Sequence, residues 1–430
     1  MRYYSTNRKS PIVGFKEATI NGQAPDRGLY FPEIIPQVDK KLIENIEKYS
    51  NEEIAFQIIK PYVGDTISDE NLLQIIAETV NFPMPLVKVN ENIFALELFH
   101  GPTLAFKDIG ARFMSRCLGH FVKDSLRKVT VLVATSGDTG GAVANGFYNV
   151  EGVDVVILYP SGKVSPVQEK QLTTLGNNIS ALEVSGTFDD CQAMVKQAFA
   201  DKELTGKIFL TSANSINVAR WLPQQFYYFF AYKQWADKKN PPVISVPSGN
   251  FGNICAGILA MQSGLPVKHF IAACNINDVV NDYLKTEELK PKQAVPTLSN
   301  AMDVGNPSNF VRMLELFHHQ FPELKNKLSS CTITDEDTMA TIKKVYQEEK
   351  YLTDPHGAVG YLALELFLNA NPEEKGIFLE TAHPVKFPGA VEQAIGKPID
   401  IPDSISDIMR RKKNSLNIKP DYSAFKSFFA

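Results

Sequence analysis

The sequence predicts an α/β protein built on mostly parallel sheets. Three observations carry that prediction. From residue 93 onward, β-branched apolar runs of strand length alternate with stretches at helical spacing, and short loops join them. Small polar clusters (TSGDTGG, PSGK, TSANS, PSGNFGN and TAHP) each stand just after a run and just before a helix. In a doubly wound sheet such places share the carboxyl edge, where ligands bind. Short βα loops are also polar and small when they bind nothing; the five clusters together point to one site.

The elements follow in order. The first ninety residues mix short apolar patches with turns, with NEEIAFQIIKPYVG as a helix, and form a small amino-terminal domain over 1–90. A second domain spans 91–225 and a third 226–430, the latter ending in a tail. IFALELF reads as a strand. Phe106, Ile109, Phe113, Leu118 and Phe121 then recur at helical spacing, so a helix begins near Lys107. VTVLVAT, VDVVILYP, ISALEV, KIFLTS, PVISVPSGN, VKHFIAACN and GIFLETAHP supply further strands. Between them lie the helices AVANGFYN, QEKQLTTLG, FDDCQAMVKQAFA, FGNICAGILAMQSG and YLALELFLN. VARWLPQQFYYFFAYKQW reads as one long helix with a buried aromatic face.

At 430 residues, with 44% hydrophobic and 21% charged residues, the chain can bury a large core. A net charge of -4 provides no basic field for nucleic acid or an anionic membrane. No apolar run reaches the roughly 18 residues a membrane span needs, and MRYYSTNRKSPIVGF has no secretory h-region. Five scattered cysteines without a CxxC pair read as reduced core residues of a cytoplasmic protein. With no heptad seam or evident apolar dimer face, a monomer or weak homodimer is expected. His318, His319 and the DPHG stretch lack acidic or cysteine partners at ligand spacing, so no metal site is expected. No GxSxG elbow accompanies Ser136, Ser212 or Ser248. The basic run RRKK in the tail reads as surface.

SGNFGN, residues 248–253, carries the sharpest chemical signal. Gly249 and Gly252 allow positive φ and close approach of a ligand, and the helix that follows offers N–H groups to an anion. The spacing is neither the dinucleotide GxGxxG nor a Walker loop, so a mononucleotide or phosphorylated cofactor is favoured over NAD or ATP. A tight turn into a helix is the plain alternative. TSGDTGG, residues 135–141, is a second cradle, suited to a substrate carboxylate. Asp138 is awkward there, because an acid repels an anion; its carboxylate is expected to accept from backbone N–H groups or a substrate amine. Lys107 stands in the first turn of a helix, where the dipole disfavours an ammonium. It is either a solvated surface residue or an amine of altered reactivity. Beside the apolar Leu104, Ala105 and Phe106 and a phosphate cup, it reads as a lysine that forms a Schiff base with pyridoxal 5'-phosphate.

ELFHGPTLAFKDIGARFM, ATSGDTGGAVANGF, LYPSGKVSPVQEKQ, SANSINVAR, VPSGNFGN, TLSNAMDVGNPSN and TAHPVKF, in this order, resemble the longer-chain threonine synthase family. The likeness runs from GLYFPE (28–33) past TAHP, essentially the whole chain. It implies a fold-type II pyridoxal phosphate enzyme, tryptophan synthase β-like. Two open, twisted, mostly parallel sheets would carry helices on both faces and hold the cofactor between them, beside a small amino-terminal domain.

The resemblance also implies the reaction, conversion of O-phospho-L-homoserine and water to L-threonine and phosphate in a lyase of threonine biosynthesis. Lys107 would form the internal aldimine and shuttle protons. Gly249, Asn250, Phe251, Gly252 and Asn253 would hold the cofactor phosphate, and Thr381 would face the pyridine nitrogen. Thr135, Ser136, Gly137, Asp138 and Thr139 would take the substrate carboxylate. Arg112, Lys163, Ser212, Asn214, Ser215, Asn217 and Arg220 are the candidates for the substrate phosphate. Two rivals stand beside this reading: a dehydratase or β-replacing synthase of the same fold, and a catalytically silent relative that binds phosphorylated ligands.

Overall fold

The computed structural model describes residues 1–123 and 128–429. The chain forms two compact units, each assembled from separate segments. The first contains Phe31–Phe106 and Trp221–Asp400, together with Met1; the second contains Arg2–Tyr30, Lys107–Arg220 and the residues from Ile401 onward. This differs from the three consecutive domains 1–90, 91–225 and 226–430 expected from the sequence. The reason lies in strand pairing between distant segments. Ile93–Glu97 runs parallel to Gly376–Glu380, and Leu416–Ile418 runs parallel to Ile179–Val184.

In the first unit a six-stranded sheet has the order Leu328–Thr332, His269–Cys274, Val243–Pro247, Gly376–Glu380, Ile93–Glu97, Leu86–Lys88. Its pairs are parallel except for Leu86–Lys88, which runs antiparallel to Ile93–Glu97. Val243, Ile271 and Phe378 of this sheet pack with Val359 and Leu364 of the helix Pro355–Ala370. The helix Asn51–Val63 starts where Ser50 and Glu53 form a reciprocal capping box, which satisfies two backbone donors at its end.

In the second unit five parallel strands have the order Leu416–Ile418, Ile179–Val184, Val153–Pro160, Val129–Ala134, Phe209–Ser212. Their apolar side chains pack with Cys191, Met194 and Phe425. The amino-terminal Arg2–Ser5 and Val13–Gly14 pair antiparallel, and Phe15 of the next helix meets Phe121 with ring centroids 6.1 Å apart. The amino-terminal region is thus shared: residues 2–30 go with the second unit, and the helices Asn51–Val63 and Asp69–Thr79 with the first.

Several local expectations were altered by packing. The long helix expected over VARWLPQQFYYFFAYKQW is broken into Val218–Trp221, a 3-10 turn Leu222–Gln224 and Gln225–Gln234. Pro223 cannot continue an α-helix from within, and the boundary between the units falls just before it, after Arg220. FYYFF is buried on every side rather than on one face. All five cysteines are free. No described helix is long and apolar enough to cross a membrane, and no metal-binding cluster of His, Cys, Asp or Glu occurs among the described residues. His318 and His319 are exposed, whereas His356 is a core residue held by Asp354 at 2.5 Å. In the tail Arg410, Arg411 and Lys412 are exposed; Lys413 is half-buried and bridges Glu169 and Glu183, each at 2.6 Å.

Candidate active site

The five polar clusters do stand at carboxyl ends of strands, but they are divided between two sheets. PSGNFGN and TAHP follow the neighbouring strands Val243–Pro247 and Gly376–Glu380 of the first unit. TSGDTGG, PSGK and TSANS follow strands of the second.

In the first unit the turn after Val243–Pro247 is shaped by close approach. A Cβ on Gly249 would lie 2.5 Å from the Met302 Cα, so only glycine fits beneath that backbone. The expected positive φ is at neither Gly249 nor Gly252; it falls on Phe251, at 62°. A phenylalanine in the left-handed region is uncommon and is held here by surrounding structure. Its ring is buried against Phe310, with centroids 6.4 Å apart. Phe251 is also the N-cap of Gly252–Gln262 and provides no side-chain cap. Asn250 Oδ1 accepts from the Ser308 N–H at 2.6 Å, and Asn309 Nδ2 donates to the Asn250 carbonyl at 3.1 Å.

Asn253 makes the strongest case for a ligand in this cup. Its Oδ1 accepts from the buried Tyr228 hydroxyl at 2.9 Å, which turns Nδ2 the other way. That nitrogen is buried and has no hydrogen-bond partner among the described residues. Leaving a buried donor unmade costs about 1–3 kcal/mol, so the arrangement fits an anion that completes it. A helix start without a side-chain cap and an unmet amide suit a phosphate ester. The residues therefore fit pyridoxal phosphate.

Thr381 follows the adjacent strand and is buried. Its carbonyl accepts from the Phe106 N–H at 2.9 Å, and Ala382 bridges Ala105. Lys386, fully buried, donates to the Thr103 carbonyl at 2.8 Å. The segment before Lys107 is therefore stitched along the TAHP turn. Burial, with His100 next in weight, holds the His383 imidazole down at about 4. It is neutral, and its Nδ1 accepts from the Val385 N–H at 3.1 Å.

In the second unit Lys107 opens the helix Lys107–Val122, where the sequence placed it. Its Nζ lies 3.9 Å from Asp138 Oδ2, and both side chains are largely buried. This explains an ammonium in the first turn: a carboxylate faces it. The Thr135–Thr139 loop is folded around the Thr135 hydroxyl, which accepts from the Gly137 N–H at 3.0 Å and the Gly140 N–H at 2.9 Å. Thr135 thus shapes the loop. A side chain meets the Asp138 carboxylate, where the sequence leads one to expect backbone donors or a substrate amine: Gln168 Nε2 donates to its Oδ1 at 2.8 Å.

The proposed substrate-phosphate residues fall into two groups. Asn217 is part of the scaffold: its Nδ2 donates to the Thr19 and Ser212 carbonyls at 2.9 and 3.3 Å, and its Oδ1 accepts from Ala219 N–H. With both amide hydrogens used, it is withdrawn from the candidate list. Arg220 is buried and donates to the Ala213 carbonyl at 3.0 Å, and Ser212 is buried and accepts from the Asn214 N–H at 3.3 Å. Arg112, Asn214 and Ser215 are half-buried, and Lys163 is exposed.

Four residues of these surroundings escaped sequence reasoning: Gln168, Asn309, Arg312 and Glu380. Arg312 is fully buried, donates to Asn309 Oδ1 at 2.8 Å and lies over the Trp221 ring. Burial lowers its pKa to about 9, which leaves it a cation at neutral pH behind the residue that holds the cup. A signal existed for two of them. Gln168 and Asn309 lie inside LYPSGKVSPVQEKQ and TLSNAMDVGNPSN, stretches that carry the family resemblance but in which neither residue was given a role.

Comparisons with known proteins identify the family. Residues 72–379 match the model of pyridoxal-phosphate dependent enzymes, 2–80 the threonine synthase N terminus, and 357–429 the threonine synthase C-terminal region. The threonine synthase of Escherichia coli K12 is 44% identical over 99% of this chain and 98% of its own. That of Haemophilus influenzae is 46% identical over 98% and 96%. The crystal structure of the Escherichia coli enzyme superposes with a TM-score of 0.93, covering 100% of this chain and 99% of that one. A pyridoxal-phosphate-bound threonine synthase from Brucella melitensis superposes with a TM-score of 0.92 at 34% identity, covering 100% and 98%. The chain belongs to the threonine synthase family of pyridoxal-phosphate-dependent enzymes.

Proposed function

We propose that this protein converts O-phospho-L-homoserine and water to L-threonine and phosphate. The observation that carries the reading is Lys107, set at a helix start against Asp138, in a chain that matches threonine synthases from end to end. Bound pyridoxal phosphate supplies an aldehyde for an amine to capture and a ring that delocalises the electron pair left when a neighbouring C–H is broken. Gly249, Asn250, Phe251, Gly252 and Asn253 would hold its phosphate, and Thr381 would face its ring nitrogen. A threonine hydroxyl fixes a proton there less firmly than a carboxylate would, which puts more weight on substrate orientation.

Lys107 is the anchoring amine and the base. When its amine is released it takes the substrate α proton. A second proton leaves Cβ and phosphate departs from Cγ with the C–O pair. A proton then returns at Cγ, the oxygen of water bonds to Cβ and the last proton returns at Cα. The atoms balance as substrate plus water giving threonine plus phosphate. The Thr135–Thr139 loop receives the substrate carboxylate. Arg112, Lys163, Asn214 and Ser215 are the residues assigned to its phosphate, with Ser212 and Arg220 shaping that loop. Five free thiols suit a cytoplasmic enzyme, and the working state is a monomer or weak homodimer.

The test is joint assay of phosphate and threonine released from O-phospho-L-homoserine, with Lys107→Ala as control. Equal amounts of both products, abolished in the control, are expected. Phosphate accompanied by 2-oxobutyrate instead of threonine, or turnover that persists without Lys107, overturns the reading.

A further inference from the structure

Asp138 stands among residues assigned to a substrate carboxylate, where a second negative charge is unfavourable. The second unit shows how it is held. Gln168 is 2% exposed and sits in the first turn of Pro166–Thr173, at the third position of a capping box. Its Oε1 accepts from the Ser165 N–H at 3.2 Å, and its own N–H donates to Ser165 Oγ at 3.3 Å. A backbone N–H can only donate, so the atom facing Ser165 must be the amide oxygen. That determines the orientation of the amide and leaves Nε2 directed at Asp138 Oδ1, 2.8 Å away. The other carboxylate oxygen, Oδ2, is the one 3.9 Å from Lys107 Nζ.

The Gln168 side chain packs directly against the loop backbone at Gly137. Gly137 has φ 141°, and a Cβ there would come within 2.4 Å of the Gln168 side chain. Helix Pro166–Thr173 is anchored in turn, since Glu169 bonds Lys413 of the carboxyl-terminal segment at 2.6 Å. A buried charge-assisted hydrogen bond of this kind is directional and stronger than a neutral one.

We infer that Gln168 is a positioning residue, which directs one oxygen of Asp138 at the amine of Lys107 while satisfying the other. Asp138 then acts as the counter-charge that stabilises the protonated form of the Lys107 amine after it has taken up a proton. This rests on the reading of Lys107 as the reactive amine, but not on the substrate. A residue needed only to cap its helix would have no influence on Lys107.

The experiment uses the cofactor-free full-length protein, made by removing pyridoxal phosphate. The rate of reductive methylation of Lys107 is followed by mass spectrometry at constant pH near 8, alongside thermal unfolding. Only the unprotonated amine reacts, so loss of the counter-charge speeds labelling. Asp138→Asn is expected to raise the rate roughly fivefold and Gln168→Met roughly threefold, the sizes expected when a nearby opposite charge is removed or turned away. In the Asp138→Asn background Gln168→Met should add nothing, since Gln168 acts through Asp138. Ser165→Ala removes the side-chain cap and leaves the Gln168–Asp138 bond, so it should leave the rate unchanged at some cost in melting temperature. An unaltered rate in Gln168→Met overturns the inference. So does an equal rise in Ser165→Ala, or an additive effect in the double variant. Failure of threonine release with these labelling results intact would count against the substrate reading alone.

Discussion

Glu380, the residue before Thr381, is fully buried, and its Oε2 has no hydrogen-bond partner. Its Oε1 accepts from the Asp354 N–H at 2.7 Å. Asp354 itself accepts from the Gly357 N–H at a helix start and from His356. His356 Nε2 accepts from the Ala301 N–H, and its Nδ1 faces Asp354. Glu97 is level with Glu380 on the neighbouring strand and accepts from the Tyr351 hydroxyl at 2.9 Å. Burial first, then the nearby Asp354, drives Glu380 well above the ordinary 4.5. The folded protein then binds more protons than the unfolded chain at any pH between 4.5 and that raised value. Stability therefore falls as pH rises through this window. Glu380→Gln retains the neutral shape without the proton. Its unfolding free energy relative to wild type should grow by about 1 kcal/mol or more from pH 5 to pH 8, measured by urea denaturation. A pH-independent difference would show that Glu380 is ionised in the fold.

At the scale of the element, the start of Gly252–Gln262 is where sequence and structure disagree usefully. SGNFGN correctly announced a turn into a helix at a strand end, because glycine, asparagine and an apolar helix are local signals. The reason for Gly249 was not legible, since Met302 lies far along the chain. A methyl group placed 2.5 Å from a backbone carbon has no flexible neighbour to displace. Gly249→Ala should cost about 1–3 kcal/mol of stability, typical of overpacking. It should also weaken cofactor binding, read by pyridoxal phosphate titration of the cofactor-free protein. Wild-type affinity in that variant would mean that the cup can shift away from Met302.

For the whole molecule, the carboxyl-terminal segment is part of a core and not an appendage. Phe425 is fully buried in the cluster that contains Leu182 and Met194. Leu416–Ile418 covers the edge of Ile179–Val184. Unpaired, that edge would offer backbone donors and acceptors to other chains. Phe425→Ala should cost about 3–5 kcal/mol, seen as a lowered midpoint of thermal or urea unfolding. An unchanged midpoint would place the tail outside the cooperative fold.

Much was decided by the sequence alone. Strand and helix periods, the helix starting at Lys107, the SGNFGN turn into a helix and the family were readable because each depends on residues close together in the chain. Strands such as VDVVILYP and ISALEV were located to the residue, since β-branched runs flanked by turns leave little choice. Only the tertiary structure decided how the chain divides, because parallel pairing joins Ile93–Glu97 to Gly376–Glu380 across most of its length. It also decided that Asn217 is scaffold, that Asn253 keeps an unmet amide, and that Gln168 orients Asp138. Hydrogen-bond satisfaction and steric exclusion act between groups brought together by folding, and their partners are not neighbours in sequence.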